Sequence, residues 1–379
     1  MTLRTISAGV LLTSTCLACN IDIPPPSYIS ATQIFAVRHV VELGPLHPDR
    51  VGPQLADTHE TPIAEVLPGD RLRLETVVVD VDGRALADHE VETLWMQCGT
   101  GSGSSIEAQL SFQNPLPCTK LDDPRPRLGL GHTLERTCVL GTGTASFEFE
   151  VPPLDPRYSP SLLFNPPLCL YGVAAWDGRR VEDCWTSRLE NNAALDRCEF
   201  IVHQVSIGPQ PWLLAYIASL GVETDYDVNL FPAWVFLQPA NRIPRAPELT
   251  ILVDGERVVT DRPPLPTIPV KAGSRIDLLL QFDAPSQQSQ LAFEPRSQLG
   301  DIFVAVAEHL YSRTATTGAI RRIGGSDPET GHDNVAVSDN GSFAYEVEEF
   351  AKPGTSRILI GYRDDRWATD FLTVKFEVR

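Results

Sequence analysis

The fold is indicated most clearly by residues 68–79, which read PGDRLRLETVVV. The opening Pro-Gly-Asp is typical of a tight turn. Polar and apolar side chains then alternate from Arg71 to Glu75, and three valines follow Thr76. Because successive side chains of a strand point to opposite faces, this alternation predicts a β-strand with one buried face.

A second strand is expected shortly after the first. Residues 80–83 read DVDG and predict a turn, and residues 91–98 form an apolar stretch around Trp95. Two strands at this spacing, the second with a central Trp, are typical of strands B and C of a β-sandwich. The chain also has 32 Pro and 26 Gly without a periodic pattern, which favours many short strands joined by turns.

Similar patterns predict strands along the rest of the chain. In the first part these are residues 33–43, 144–151, 169–176 and 198–207, and in the second part 249–254, 275–282, 302–311, 343–347, 357–362 and 371–378.

The order of turn, alternating strand, Asp-x-Asp-Gly turn and a strand with Trp95 and Cys98 resembles the immunoglobulin-like or PKD-like modules of envelope lipoproteins of myxobacteria and their relatives. Turns at 339–342 and 352–355, each followed by a strand, are similar to the C-terminal half of immunoglobulin-like repeats. The resemblance implies an all-β fold of two immunoglobulin-like β-sandwich domains joined by a short helical linker. The immunoglobulin cysteine of strand B is missing from residues 72–79, so the disulfides must follow another pattern.

Composition and turn signals divide the chain into five parts. These are a signal peptide (1–19), a proline-rich spacer (20–29), a first sandwich with insertions at 99–137 and 179–197 (30–208), a linker (209–246) and a second sandwich (247–379).

A helix is predicted in the linker at 211–220, because Pro211 suits the first helical position and Gly221 suits a helix end. The segment is apolar on nearly every side, which favours a buried connector, with a partner contact as the alternative.

The first nineteen residues have the layout of a secretory signal. Arg4 precedes an apolar run at 6–12, and small residues lead to Cys19. The end of the segment, Leu17-Ala18-Cys19, resembles a bacterial lipobox, although Cys16 stands where that motif usually has Leu. We expect acylation at Cys19; cleavage after Ala18 without lipid and an uncleaved buried segment are the alternatives.

A lipid at Cys19 predicts a protein anchored to a membrane rather than inserted in it. The apolar run is shorter than the roughly 20 residues that a spanning helix needs. Asn20 follows the cysteine where an Asp would signal retention in the inner membrane. The resemblance therefore implies an outer-membrane lipoprotein, facing either the periplasm or the cell surface.

Composition narrows the classes of partner. A formal net charge of -18 and a pI near 4.8 argue against binding to nucleic acid and against direct adsorption to anionic lipid. We interpret the acidic surface as a solubility feature. A hydrophobic content of 42% is enough for a packed core, and no motif calls for a cofactor.

Six cysteines follow the signal, and an even number in an exported chain predicts three disulfides. No pair in the mature chain has metal-ligand spacing. Antiparallel pairing of the strands at 91–98 and 169–176 brings Cys98 to Cys169, and the others pair locally, each stabilising a loop by roughly 3 kcal/mol. Of the fifteen possible connectivities, we therefore predict Cys98–Cys169, Cys118–Cys138 and Cys184–Cys198.

The sequence contains no complete motif for calcium binding or for a catalytic nucleophile. Asp80 and Asp82, or the acidic residues between 327 and 339, have ligand types that suit calcium, but their spacing is not that of an EF-hand, and turn initiation is favoured. The serine of GTGSG at 99–103 is one place late for a nucleophile elbow. We predict no catalytic and no metal-binding residues.

The leading functional hypothesis is a non-enzymatic envelope protein that serves as an interaction or assembly module with a protein partner. The alternative is capture of a glycan or another solute by aromatic side chains such as Trp176, Trp185 or Trp367. A hydrolase that uses two carboxylates brought together by the fold is the second alternative.

Overall fold

The structure of the protein is a computed structural model. The residues that it describes are 28–44, 61–97, 138–151, 167–191, 195–219, 231–237, 240–283, 288–294, 302–307, 309–323, 335–337 and 340–379.

The strand predicted from residues 71–79 is present as β3 (Arg71–Val79). Leu72 and Leu74 are fully buried while Arg71 and Arg73 point outward, as the alternation requires. It is the central strand of a three-stranded sheet, between β1 (Gln33–Glu42) and β6 (Ser146–Glu150), and both pairings are antiparallel.

A five-stranded sheet faces it. The predicted pairing of the strands at 91–98 and 169–176 is confirmed, because Val91 lies opposite Trp176 and the two strands run antiparallel. Trp95 is completely buried, and Gly172 passes so close to its ring that an added Cβ would lie 2.8 Å away. In order across the sheet the strands are β2 (Glu65–Val66), β8 (Cys198–Ile207), β7 (Pro167–Trp176), β4 (Val91–Gln97) and β5 (Cys138–Gly143).

The second part of the chain forms two further five-stranded sheets and a separate pair, β13 (Ser289–Glu294) with β14 (Ile302–Ala307). One sheet has the order β10 (Glu256–Asp261), β9 (Glu248–Val253), β12 (Arg275–Gln281), β18 (Asn340–Val347), β16 (Ile320–Arg322). The other has the order β11 (Ile268–Val270), β20 (Thr369–Val378), β19 (Gly354–Asp364), β15 (Leu310–Thr316), β17 (Val335–Val337).

Each part has its own hydrophobic core. One cluster joins Leu72 and Leu74 of β3 to Trp95 of the facing sheet. Another joins Leu278 of β12 to Ile360 of β19. Burial of such side chains supplies the main stabilisation of the fold. The all-β class expected from the sequence is therefore confirmed.

Two helices accompany the sheets in the residues that the structure describes. Helix α2 (Gln210–Ser219) occupies the segment predicted to be helical, with Leu213 and Leu214 buried. Helix α1 (Val181–Asn191) lies in the predicted insertion at 179–197, which was expected to be a loop. Short 3-10 turns occur at Asp88–Glu90 and Ala233–Leu237. In the described part of the chain, no helix is long and apolar enough to cross a membrane.

A disulfide joins Cys184 of α1 to Cys198 of β8, the pair predicted to close the second insertion. Cys19, Cys98 and Cys118 lie outside the described residues, while Cys138 and Cys169 are described in their backbone only. The other two pairings and the acylation of Cys19 stay predictions.

Candidate functional site

The turn between β19 and β20 has two chemically different faces. Burial alternates along it, so that every second residue points into the protein. We call the buried set, Asp364, Arg366 and Ala368, the inner face, and the partly exposed set, Arg363, Asp365 and Trp367, the outer face.

The inner face forms an ion pair with the first part of the chain. Arg366 Nη1 lies 3.1 Å from Glu65 Oε2, and the two side chains are only 6% and 1% exposed. The same carboxylate oxygen accepts a hydrogen bond of 2.9 Å from the backbone N–H of Asn241. A buried charge is tolerated only when it is paired and hydrogen-bonded, and both conditions hold for Glu65.

Asp364 completes this buried network. Its Oδ1 accepts hydrogen bonds of 2.9 Å from the backbone N–H groups of Arg366 and Ala368, which fixes the turn. Its Oδ2 accepts a bond of 2.9 Å from Asn241 Nδ2. Asn241 therefore contacts Glu65 through its backbone and Asp364 through its amide, so the turn is fixed against the first part of the chain.

A pair of buried histidines adjoins the network. The N–H of Ala64 donates to the carbonyl of Asn241 at 2.8 Å, and the carbonyl of Ala64 lies 2.7 Å from His39 Nε2. A carbonyl only accepts, so His39 carries its proton on Nε2, and its Nδ1 accepts from His203 Nε2 at 2.9 Å. Burial lowers the pKa of His39 to about 4, and burial together with His39 lowers the pKa of His203 well below its usual value.

The outer face holds an arginine against two aromatic rings. The Arg363 guanidinium carbon lies 4.3 Å from the Trp367 ring centroid and 4.8 Å from that of Tyr311, which is opposite Arg363 on β15. These are cation–π distances. Asp365 Oδ2 accepts from the backbone N–H of His309 at 2.8 Å and lies 3.1 Å from its Nδ1. Burial and the hydrogen bond to Asp365 raise the pKa of Tyr311.

Trp367 adopts a backbone conformation that is unusual for a bulky residue. Its φ is 72°, in the left-handed region where Gly or Asn is normally found. Its N–H donates to the carbonyl of Asp364 at 3.3 Å and closes the turn. The left-handed region costs a residue with a Cβ about 1–2 kcal/mol. Strain of this kind collects at functional sites, which marks the Trp367 side chain as a candidate for binding.

Replacement of Trp367 separates this backbone strain from the contribution of the indole. Trp367→Gly and Trp367→Ala both remove the ring from Arg363, but only Gly relieves the φ of 72°. We expect the Gly variant to exceed the Ala variant in free energy of unfolding by about 1 kcal/mol. Urea denaturation of the two variants measures the difference. A Gly variant no more stable than the Ala variant would rule out strain at this position.

The tryptophans nominated for glycan capture have different environments. Trp176 is buried, and Trp185 is half-buried against the ring of Tyr171, with the centroids 6.4 Å apart. Trp367 is partly exposed on the outer face. Trp234, which the sequence did not single out, is 49% exposed. Of the three nominated side chains, Trp367 lies against the guanidinium of Arg363.

The first of the two acidic groups considered for calcium, Asp80 and Asp82, forms a turn. Asp80 Oδ1 accepts from the N–H groups of Asp82 and Arg84 at 3.0 and 2.8 Å, so turn initiation by Asp80 is confirmed. The acidic residues between 327 and 339 lie outside the described residues. Where the structure describes the chain, no group of three or more His, Cys, Asp or Glu side chains is placed to hold a metal ion.

Comparison with known proteins yields no family. No protein-family model matches the chain, and no curated protein matches it. Among solved structures it is similar to the native conformation of E. coli alpha-2-macroglobulin, with 11% identity, a TM-score of 0.19 and coverage of 84% of this chain and 16% of that one. The chain thus spans about a sixth of the length of that protein.

Two further solved structures give values of the same order. For a glycosyl hydrolase family 2 member from Bacteroides cellulosilyticus the identity is 10%, the TM-score 0.17 and the coverage 90% of this chain and 28% of that one. For the CupB6 tip adhesin from Pseudomonas aeruginosa the identity is 10%, the TM-score 0.14 and the coverage 93% of this chain and 99% of that one. TM-scores this low support no conclusion about fold or function.

Proposed function

We propose that the protein is an exported outer-membrane lipoprotein, acylated at Cys19, that serves as a non-enzymatic interaction or assembly module of the cell envelope. The observation that carries this proposal is the outer face, where Arg363 lies over the rings of Tyr311 and Trp367 at the surface. Tyr, Trp and Arg are the residues most enriched in the energetically dominant parts of protein interfaces.

The contacts that hold the side chains of the outer face in place also favour binding. A side chain that is already held in place loses less conformational entropy when a partner binds. Arg363 is held by two rings, and the turn that carries Trp367 is fixed from inside by Asp364 and by the Arg366–Glu65 pair. The partner that fits this surface is a protein that presents carbonyl or carboxylate groups to Arg363 and apolar groups to the rings.

We further propose two immunoglobulin-like sandwiches joined by a linker with α2. The support is that one five-stranded sheet in each part has the same strand order. In the first part a short strand, β2, pairs in parallel with the final strand β8. In the second part β11 pairs in parallel with the final strand β20. In both parts the final strand also pairs with the strand before it, as strands F and G do in such domains.

Glycan or solute capture is the alternative function. It is favoured by the partly exposed indole of Trp367 beside the carboxylate of Asp365, a combination that suits the apolar face and the hydroxyl groups of a sugar. A glycan that stays bound to wild-type protein during purification, and is missing from the Trp367→Gly variant, would favour capture over the interaction module.

The anchor is tested by Cys19→Ala. Without the acylated cysteine the protein has no lipid to hold it, so we expect it to move from the membrane fraction to the soluble fraction. Immunoblotting of separated fractions measures the shift, and Cys16→Ala is the matched control that should stay with the membranes. Sedimentation of the Cys19→Ala variant with the membranes would refute the anchor.

A further inference from the structure

The chain enters the described fold at one end of the second part. The N–H of Ile29 donates to the carbonyl of Thr316 at 2.9 Å, and the Tyr28 hydroxyl donates to the carbonyl of Gly318 at 3.2 Å. The Arg321 guanidinium carbon lies 3.7 Å from the centroid of the Tyr28 ring. These contacts fix Tyr28 beside the turn that follows β15. We call this the tether end.

An isolated aromatic side chain projects from the tether end. Phe350, in the turn between β18 and β19, is 94% exposed, the highest value among the large hydrophobic side chains of the described residues. Its turn is tied to Tyr28, because Arg321 forms an ion pair with Glu348 and the N–H of Glu348 donates to the carbonyl of Ala319 at 2.9 Å. Phe350 and the incoming chain therefore belong to the same end of the molecule.

Two lysines flank this aromatic residue. Lys352 is in the same turn, and Lys271 is in the neighbouring turn, which is held by reciprocal bonds of 3.0 Å from Gly273 N to Val347 O and 2.9 Å from Val347 N to Ser274 O. Both lysines are exposed. Two of the four lysines of the chain are therefore at this end.

The length of the chain before Tyr28 limits how far this end can be from a membrane. Residues 20–27 separate the proposed acylation site from Tyr28. The nine residue steps from Cys19 to Tyr28 span at most about 32 Å even when fully extended. A lipid at Cys19 therefore keeps the tether end close to the bilayer surface.

We propose that the tether end rests on the membrane, with Phe350 in the interfacial region and with Lys271 and Lys352 next to lipid phosphates. This inference rests on the proposed acylation of Cys19. Aromatic side chains gain free energy at the boundary between headgroups and acyl chains, and lysines are attracted to anionic headgroups. The exposed Glu349 opposes that attraction, while the charge of Glu348 is compensated by Arg321. More distant acidic residues are screened at physiological salt.

This orientation also sets the direction in which the outer face points. Arg363 is nine residues along β19 from Gly354, which corresponds to about 30 Å. The turn with Phe350 precedes Gly354, and the outer face follows the other end of the strand. With Phe350 on the bilayer, the outer face is directed away from the membrane, where a partner has access to it.

The test uses full-length lipoprotein reconstituted into phosphatidylcholine–phosphatidylglycerol vesicles, with or without brominated acyl chains that quench Trp fluorescence. Phe350→Trp places a reporter in the turn, and Leu279→Trp places one on an exposed strand position away from this end. We expect brominated lipid to remove the emission that Phe350→Trp adds to the wild-type spectrum. The emission that Leu279→Trp adds should stay unchanged.

Each outcome decides a different point. Quenching at position 350 alone supports the inference. Protein that floats with the vesicles while neither reporter is quenched overturns the membrane contact and leaves the lipid anchor intact. Protein that does not float overturns the anchor and this inference together.

Discussion

Arg366→Leu is expected to lower the free energy of unfolding by about 3–5 kcal/mol, because it leaves the Glu65 carboxylate buried without its cation. The two side chains are almost completely inaccessible to water, and their atoms Nη1 and Oε2 lie 3.1 Å apart. Urea denaturation of the purified variant and the wild type measures the loss.

Two controls make the result specific. Arg262→Leu removes a partner of Asp283 at 2.9 Å, but this pair is partly exposed, so we expect a loss of at most about 1 kcal/mol. Glu65→Gln combined with Arg366→Leu removes both charges and should recover part of the stability that the single Arg366→Leu variant loses. A single variant that loses no more than Arg262→Leu would contradict the structural role of the buried pair.

The second large effect concerns pH. The free energy of unfolding is expected to fall as pH drops from about 6.5 toward 4, because His39 and His203 are buried as neutral rings. In the unfolded chain both histidines take up a proton near pH 6.5, while the folded protein resists protonation until about pH 4 at His39. The unfolded state then binds more protons, which lowers stability by about 1.4 kcal/mol per pH unit for each histidine.

Two partly buried carboxyl groups oppose this loss of stability in part of the same pH range. Burial raises the pKa of Glu199 and of Asp370, so the folded state takes up protons there before the unfolded state does. The contribution of the histidines is therefore measured by difference. The double variant His39→Gln, His203→Gln keeps groups that donate and accept hydrogen bonds but removes the titration. We expect its stability to depend less steeply on pH between 6.5 and 4.

The wild type and the double variant are measured side by side over the same range of pH. Equal slopes for the wild type and the double variant would show that the buried pair does not govern acid stability.

The strands could be predicted from the sequence where the evidence for them is local. The alternation in β3 follows from residues next to one another, and the pairing of β4 with β7 followed from their expected places in a sandwich. Helix α1 was missed because polar and charged side chains outnumber apolar ones in its segment, VEDCWTSRLEN. Its buried residues Val181 and Cys184 are three positions apart, which is a helical spacing that in retrospect indicated it.

The candidate site was less accessible to sequence reasoning. Trp367 was nominated by type alone, whereas Tyr311 and Arg363 are brought together only by the register of β15 with β19. A period of two shows which face a side chain occupies but not which strand lies beside it. The Glu65–Arg366 pair joins residues 301 positions apart, and no local pattern marks either of them.

The central claim is that the outer face binds a protein of the cell envelope. The most direct measurement is photocrosslinking in intact cells with p-benzoylphenylalanine in place of Tyr311, and in place of Leu279 as a control position. We expect one defined envelope protein to be crosslinked from position 311, no such product from position 279, and loss of the product when Arg363→Ala is added. No protein crosslink from position 311, or the same products from both positions, would contradict the claim.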